Sequence, residues 1–177
     1  MVRKLRYHER KLLKKVDFIN WSTNSVKETA IMRKYHINRQ DYTKYNKLCH
    51  EIWQLCDRIS RLSPDDTFRN GCSQQLIEKL YSNGLIKTKR LKKCNSVNVK
   101  SFCRRRLAVY MIQSAMFSGP LSTAVKYVKH GHVRVGPNVV TDPAFLVTRT
   151  HEDFISWTES FKTKIDTYNE IRDDYKD

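Results

Sequence analysis

The chain has 177 residues and carries 34 lysines and arginines against 18 aspartates and glutamates, a formal net charge of +16 at neutral pH. This length suits one ordinary domain or a small module with additional helices, and the charge predicts an anionic partner without specifying a fold. No apolar run approaches the ~20 residues of a membrane-spanning helix, and no apolar core follows the basic N-terminus, so nucleic acid is favoured over membrane and export is not expected.

The five cysteines are an odd number and include no Cys-x-x-Cys pair; they are Cys49, Cys56, Cys72, Cys94 and Cys103. This usage predicts free thiols in a reducing compartment. No spacing among the cysteines and the six histidines resembles a pair of zinc ligands, so neither a metal nor a cofactor is expected. Cys49, Cys56 and Cys103 are instead predicted to fill small core positions.

Residues 1–40 are predicted to form a basic N-terminal arm, part of it an amphipathic helix, and a connection that includes a short helix. One interpretation of the arm is a helix packed on its own domain. The other, which we favour, is an arm that becomes ordered on RNA or in a large assembly. The cations of the arm are Arg3, Lys4, Arg6, Arg10, Lys11, Lys14 and Lys15.

The clearest helix is predicted between Asp41, as its N-cap, and the stop at Ser63-Pro64. Its apolar residues recur at spacings of three and four from Tyr45 to Leu62. Trp53 lies next to this stripe, and we assign it to packing, with nucleobase stacking as the alternative.

A second helix is predicted from Ser73, as its N-cap, to Tyr81, and the two helices form a helical region over residues 41–100. Between Lys87 and Arg106 the chain carries nine cations and no acid. Such a run is usually a solvated face, but it adjoins the module that follows. We therefore interpret it as part of a surface that contacts nucleic acid.

Residues 101–150 carry the signals of a helix, a turn, a second helix and a small β unit. Helical spacing of apolar residues predicts one helix from Phe102 to Met116, with three adjacent arginines near its start. Ser118 or a neighbour is expected to cap the second helix, with Pro120 in its first turn. Gly131 is expected to end that helix in the left-handed conformation.

The β unit is predicted from valines on both sides of Gly136-Pro137-Asn138, which form a hairpin. A further strand is predicted over residues 144–148, after Asp142-Pro143. Residues 151–177 are predicted to form a C-terminal extension with a helical stretch.

The order of these signals resembles the S4-type RNA-binding domain, a family named after a protein of the small ribosomal subunit. Three segments carry the resemblance: Val128 to Gly136, Val139-Val140, and Asp142 to Val147. Over the whole chain the sequence is similar to the family of S4-domain proteins in the U3 small nucleolar ribonucleoprotein, part of the small-subunit processome. The residues that carry this wider resemblance are Met1 to Leu5, Lys11 to Phe18, Tyr45-Asn46, Phe102 to Leu107, Glu152 to Phe154, and Trp157.

The resemblance implies an α+β fold in which an S4-type RNA-binding module, two helices plus a small antiparallel sheet, is packed with an N-terminal helical region and an extended basic arm. It implies a non-enzymatic assembly factor of the nucleus and nucleolus that supports pairing of U3 RNA with precursor ribosomal RNA during 18S rRNA processing. The implied partners are U3 small nucleolar RNA, precursor ribosomal RNA, a large acidic scaffold subunit of the processome and a Brix-domain companion, with no membrane. The alternative is an S4-type structural protein of the small ribosomal subunit.

Lysine and arginine can hold phosphate through charge-assisted hydrogen bonds, and this is the predicted binding chemistry. Outside the N-terminal arm the candidate RNA-binding residues are Arg104, Arg105, Arg106, Lys126, Lys129, His130, His132 and Arg134. One of the three adjacent arginines is expected to face inward to a carboxylate, and Arg134 has a solvent-facing strand position as its alternative.

The second helix departs from the family. Members commonly open this helix with a Thr-Arg pair and carry another Arg four residues after the first, whereas this chain has Pro120, Leu121 and Val125 at the three positions. Leu121 and Val125 lie four residues apart on one helical face. They are therefore candidates for a protein-binding surface or, alternatively, for the core.

An enzyme is not expected. His130 and His132 flank Gly131, a spacing that could serve acid–base chemistry or half a metal site, but no carboxylate with a partnering role lies nearby in the sequence. The chain also lacks a Gly-rich phosphate loop and a Gly-x-Ser-x-Gly motif. A small RNA-modifying protein is kept as a third hypothesis.

Overall fold

The computed structural model describes residues 3–15 and 25–165 and divides into two units, one ending at Arg104 and the next beginning at Arg105. The apolar residues Phe18 and Trp21 of the predicted arm and Tyr168 of the predicted extension lie outside the described residues. The described helices are too short or too polar for any of them to cross a lipid bilayer.

Six helices make up the first unit as far as it is described. They are α1 (Tyr7–Lys15), α2 (Ser25–Tyr35), α3 (Arg39–Ser60), α4 (Thr67–Ser82), α5 (Leu91–Cys94) and α6 (Val99–Arg104). The short helix predicted within the connection is confirmed as α2. The single-turn helix α5 was not predicted, because four residues are too few for a periodic pattern.

Helix α3 is the predicted apolar-stripe helix, and it contacts α1, α4, α5 and α6. It begins two residues before the expected cap Asp41, because Asn38 already has the extended backbone of an N-cap. The stripe is narrower than its sequence indicates, since Leu48 and Leu55 remain exposed. Its buried residues are Tyr42, Tyr45, Cys49, Ile52, Cys56 and Ile59.

Helix α4 begins six residues before the predicted N-cap Ser73, which makes that predicted start wrong. Asp66 has extended backbone, and its side chain accepts a hydrogen bond from the Phe68 N–H at 2.9 Å. A carboxylate at this position satisfies one of the unpaired N–H groups of the first turn, so the helix starts there.

The second unit contains helices α7 (Leu107–Gln113) and α8 (Leu121–Lys129), strands β1 (Val133–Val135), β2 (Asn138–Val139) and β3 (Ile155–Trp157), and a 3₁₀ helix over Arg149–Phe154. Residues 159–165 are helical. The strands form an antiparallel sheet in the order β2-β1-β3. The predicted fold class, α+β with a helix pair and a small antiparallel sheet, is confirmed. The core of this unit comprises Leu107, Ala108, Met111, Ala124, Val128, Val133, Val135 and Val147.

The single helix predicted from Phe102 to Met116 is wrong, because the chain is extended at Arg106 between α6 and α7. At this break the Arg105 carbonyl accepts a hydrogen bond from the Val147 N–H at 2.7 Å, and the Leu107 N–H donates to the Phe145 carbonyl at 3.0 Å. Pairing with a segment some 40 residues away replaces the local helical bonds, and apolar periodicity cannot reveal such an exchange.

The strand predicted over residues 144–148 is also wrong as a member of the sheet. This segment pairs only through the bridge between Arg106 and Leu146, and the third strand of the sheet is Ile155–Trp157. The alternation of Ile155 and Trp157 about Ser156 was the available signal, but three residues are too few to distinguish a strand from a helix.

Two residues set the ends of α8. Pro120, a neighbour of Ser118, is itself the N-cap rather than a residue of the first turn, with extended backbone and no side-chain cap. Gly131 has φ of +71°, as predicted, and a Cβ at this position would lie 3.3 Å from Val139 Cγ1. Glycine therefore allows both the backbone reversal and the close approach of the hairpin.

Candidate nucleic-acid interface

The C-terminal end of α8 presents an exposed basic face in the second unit. Lys126, Lys129 and His130 are all exposed, and their spacing of three and four residues places them on one side of the helix. His130 is the C-cap residue, and its N–H donates to the Lys126 carbonyl at 2.9 Å. Lys126 and Lys129 lie in the last turn of α8, where the helix dipole favours cations.

His132 is less available than its sequence position indicates. Its imidazole stacks on Phe161, with ring centroids 4.3 Å apart, and meets the edge of Tyr127 at 5.9 Å. Burial lowers the pKa of His132 from its usual 6.5, and the charges of His130 and Lys164 lower it further. The neutral imidazole is therefore favoured at neutral pH, and the ring serves aromatic packing.

Arg134 lies on the central strand β1 and is partly engaged within the protein. Its Nε donates to Ser156 Oγ at 2.9 Å, and its Nη1 lies 3.5 Å from Glu159 Oε1. Both partners are close, but the Glu159 side chain is largely exposed, so this ion pair is weak in water. Arg134 keeps a partly exposed guanidinium for an anion.

The three adjacent arginines have different environments. Arg104 is exposed at the end of α6, whereas Arg106 is only 3% exposed. Arg105 is held inside the second unit, where its Nε and Nη2 donate to the Val147 carbonyl at 2.9 and 2.6 Å and its Nη2 lies 2.7 Å from Glu152 Oε1. The expectation that one arginine faces inward to a carboxylate is confirmed at Arg105.

The aromatic ring of Tyr110 completes the surroundings of Arg105. The guanidinium carbon lies 5.3 Å from the ring centroid, a cation–π contact. Burial raises the pKa of Tyr110, and the neighbouring Glu152 adds to this rise. Arg105 thus joins α7 to Val147 and to Glu152 of the 3₁₀ helix, and its guanidinium is engaged within the second unit.

In the first unit, the described cations of the predicted arm are exposed on and before α1; they are Arg3, Lys4, Arg6, Arg10 and Lys11. Arg3 forms an ion pair with Glu9, and the Glu9 side chain also accepts a hydrogen bond from the Arg6 N–H at 2.8 Å. Glu9 thereby caps the start of α1. The backbone of Lys14 and Lys15 belongs to α1, but their side chains lie outside the described part of the chain.

The basic run of the first unit is also exposed, on the turns around α5 and on α6. Lys89 lies 4.9 Å from the ring centroid of Tyr81. The other exposed cations of this run are Lys87, Arg90, Lys92, Lys93 and Lys100. They were recognised as a charged run but not as individual candidate sites, because a run of lysines does not reveal which of them face one surface.

Leu121 and Val125, the candidate protein-binding residues, are both half-buried and pack against the core of the second unit. Their inner sides contribute to packing and their outer sides remain accessible. Within residues 3–15 and 25–165, no group of three or more histidine, cysteine, aspartate or glutamate side chains could hold a metal ion.

Two family descriptions together match most of the chain. Residues 4–104 match the N-terminal domain of ribosomal protein S4/S9, and residues 105–153 match the S4 domain. The match boundary coincides with the division between the two units of the structure.

Full-length relatives refine this assignment. The chain is 48% identical to U3 small nucleolar ribonucleoprotein protein IMP3 of Mus musculus, over 99% of this chain and 98% of the relative. Identity to IMP3 of Saccharomyces cerevisiae is also 48%, over 93% of this chain and 91% of the relative. Small ribosomal subunit protein uS4 of Sulfurisphaera tokodaii is 26% identical over 78% of this chain and 80% of the relative.

The resemblance identified from the sequence is thus confirmed, both for the S4-type module and for the chain as a whole. Near-complete coverage of both chains excludes a match that rests on one shared module. This chain belongs to the family of U3 small nucleolar ribonucleoprotein proteins that includes IMP3 of mouse and yeast.

Proposed function

We propose that this chain is a non-enzymatic, RNA-binding component of the U3 small nucleolar ribonucleoprotein that acts in the nucleolus. It binds U3 RNA and precursor ribosomal RNA and supports their pairing during 18S rRNA processing. The observation that supports this proposal most strongly is the 48% sequence identity to a U3 ribonucleoprotein relative over nearly its full length. Identity to the ribosomal protein uS4 is only 26%.

The basic surfaces supply the chemistry for this function. In the second unit, Lys126 and Lys129 present positive charge on one side of α8, where the His130 ring is also exposed, with Arg134 on the adjacent strand. In the first unit, Arg104 and the exposed cations of the arm present further charge. We leave Arg105 and Arg106 out of the RNA-binding surface, because their guanidinium groups are committed to the interior.

Positive charge also explains how the protein supports the proposed pairing of U3 RNA with precursor ribosomal RNA. Two RNA strands repel each other through their phosphates, and a protein with a net charge of +16 lowers this repulsion while releasing bound counterions. Annealing is then accelerated without base-specific contacts, because screening acts on any pair of strands.

The decisive experiment is crosslinking of the tagged protein to RNA in cells, followed by sequencing of the recovered RNA. We expect U3 RNA together with the 5′ part of precursor ribosomal RNA. Recovery of mature small-subunit RNA alone would replace this function with that of a structural ribosomal protein of the S4 type. Loss of crosslinks in a Lys126→Ala, Lys129→Ala variant, with crosslinks retained in Arg61→Ala, would locate the contact on α8.

We also propose two protein partners, a large acidic scaffold subunit of the processome and a Brix-domain companion. The net charge favours an acidic partner, and the accessible sides of Leu121 and Val125 offer an apolar contact on α8. In co-purification from cells, Val125→Ser is expected to lose the scaffold while Thr141→Ser, at an exposed position, retains it. Equal recovery with both variants would exclude this face.

A further inference from the structure

A surface cavity of about 230 Å³ lies in the first unit between α3 and the start of α6. Tyr42, Asn46, Cys49 and Trp53 line it from α3, and their spacing places them on one face of that helix. Asn98, Val99 and Lys100 form the opposite wall, with Ile31 of α2 nearby. The cavity is smaller than the ~300–1,000 Å³ of sites for drug-sized ligands, so it suits one flat group.

Trp53 gives the cavity an oriented aromatic wall. Its indole N–H donates to the Val97 carbonyl at 2.9 Å, yet the residue remains 42% exposed. The hydrogen bond fixes one edge of the ring, and part of the ring remains accessible from the cavity. An aromatic ring in this state is a stacking surface that needs little ordering when a ligand binds.

Two carboxamides face the same cavity. Asn46 is half-buried, and its side chain makes no hydrogen bond to any of the described residues. Asn98 uses its Oδ1 to accept from the Ser101 N–H at 3.2 Å and the Ser101 hydroxyl at 3.4 Å, while its NH₂ group bonds to none of the described residues. Donors and an acceptor are therefore available beside the aromatic wall, as the edge of a nucleobase requires.

Lys100 adds a cation at the rim of the cavity. It is exposed and forms no ion pair with the acids of the described segments. These groups match the parts of a nucleotide. The ammonium group suits its phosphate, the aromatic wall suits the face of its base, and the carboxamides suit the edge of its base.

We propose that this cavity binds one unstacked nucleotide of single-stranded RNA. The base stacks on Trp53 and hydrogen-bonds to Asn46 and Asn98, and Lys100 contacts the phosphate. An apolar side chain of a protein partner fits less well, because it would cover the Asn46 carboxamide without satisfying its hydrogen bonds. The inference rests on the proposed RNA-binding function and assigns to the first unit a single-strand contact separate from the basic face of α8.

The test uses the full chain labelled with 5-fluorotryptophan, which has three tryptophans to assign by Trp→Phe substitution. The protein is titrated with pentaadenylate, pentacytidylate and pentauridylate and followed by ¹⁹F NMR. We expect at least one pentanucleotide to shift the Trp53 resonance saturably. A Trp53 resonance that no pentanucleotide moves would overturn the proposal.

Variants separate the cavity from general charge. Asn46→Ala removes an uncommitted carboxamide and is expected to weaken pentanucleotide binding ~10-fold at unchanged melting temperature. Asn70→Ala, at an exposed position of α4, is the matched control and should bind like the parent. Lys100→Ala should make the salt dependence shallower by ~0.7 in log–log slope. If Asn46→Ala bound the pentanucleotides as tightly as the parent, the assignment of the cavity as a nucleotide site would be contradicted.

An RNA duplex, titrated in parallel, distinguishes this inference from the proposed function. If the duplex binds and the pentanucleotides do not reach Trp53, the cavity assignment fails while the RNA-binding function stands. If neither RNA binds, both fail.

Discussion

Adjacent residues of one type can have unrelated roles, as the arginines from Arg104 to Arg106 demonstrate. Arg104 is exposed, Arg105 bonds to the Val147 carbonyl and Glu152, and Arg106 is buried in the extended break before α7. Arg105 is only 13% exposed, so its bonds to a carbonyl and a carboxylate act in a partly desolvated setting. Charge in the sequence is thus a poor measure of charge available to RNA.

His132 is expected to make stability depend on pH. Its pKa is lowered in the folded protein, first by burial and then by His130 and Lys164, from an ordinary value of 6.5. Below pH 6.5 the unfolded chain therefore binds more protons at this residue than the folded chain, and the free energy of unfolding falls as pH falls. Chemical denaturation at pH 7.5 and at pH 5.5 should show a smaller loss of stability for His132→Phe than for the parent.

The control for this prediction is Asn70→Ala, at an exposed position of α4, which changes no titratable group. It should lose as much stability as the parent over the same pH interval. If His132→Phe lost as much unfolding free energy between pH 7.5 and pH 5.5 as the parent, His132 would not be the source of the pH dependence.

The cysteines are expected to differ in reactivity. Cys49, Cys56, Cys94 and Cys103 are buried, and burial raises the pKa of Cys49 to about 12 and that of Cys56 to about 11. The thiolate is the reactive form, so these thiols should resist a thiol reagent at pH 8. Cys72 is only half-buried and should react first.

Ellman's reagent added to the native protein should therefore detect one fast thiol, and denaturant should expose all five. Cys72→Ser should abolish the fast phase. A fast phase that survives this substitution would contradict the burial of the other four thiols.

At the scale of elements, the second unit is shaped by reversals of the backbone after α7 and after α8. Ala115, after α7, has φ of +58°, and Gly131, after α8, has φ of +71°. The left-handed region is strained for alanine and free of strain for glycine. Both positions therefore adopt the left-handed conformation, but only Gly131 does so without backbone strain.

This difference predicts opposite effects of two substitutions. Ala115→Gly is expected to stabilise the protein by about 0.5–1 kcal/mol, because relief of the left-handed strain exceeds the added flexibility of the unfolded chain. Gly131→Ala is expected to destabilise it by about 1–2 kcal/mol, since strain adds to the close approach of Val139. Urea denaturation measures both, and a stabilising Gly131→Ala would refute the argument.

At the scale of the molecule, the net charge of +16 makes RNA affinity strongly dependent on salt. The double variant Lys126→Ala, Lys129→Ala should reduce the slope of log K against log salt by about 1.5–2, because each phosphate that a lysine neutralises adds nearly one unit to this slope. Fluorescence anisotropy with an RNA duplex at several salt concentrations measures this slope.

Arg61→Ala is the control for the salt experiment, because Arg61 is already paired with Asp57 at 2.7 Å and lies outside the proposed surfaces. Its slope should match that of the parent. An equal decrease in both proteins would indicate that total charge, rather than the face of α8, governs binding.

The sequence was sufficient for the features that depend on neighbouring residues. The stripe of α3, the left-handed Gly131, the valine-flanked hairpin and the basic segments follow from local periodicity, turn chemistry and composition. The family resemblance added the fold class and the assignment of the chain, because the residues that carry it occur in a specific order.

Features that depend on distant partners required the folded chain. The break at Arg106 exists because residues 105–107 pair with residues 145–147, and Arg105 is withdrawn from solvent by the carbonyl of Val147, 42 residues away. The third strand likewise joins distant segments of the second unit, and the cavity beside Trp53 joins distant segments of the first unit. Helical hydrogen bonds connect residues four apart and leave a periodic trace, whereas these contacts form between residues that no local pattern relates.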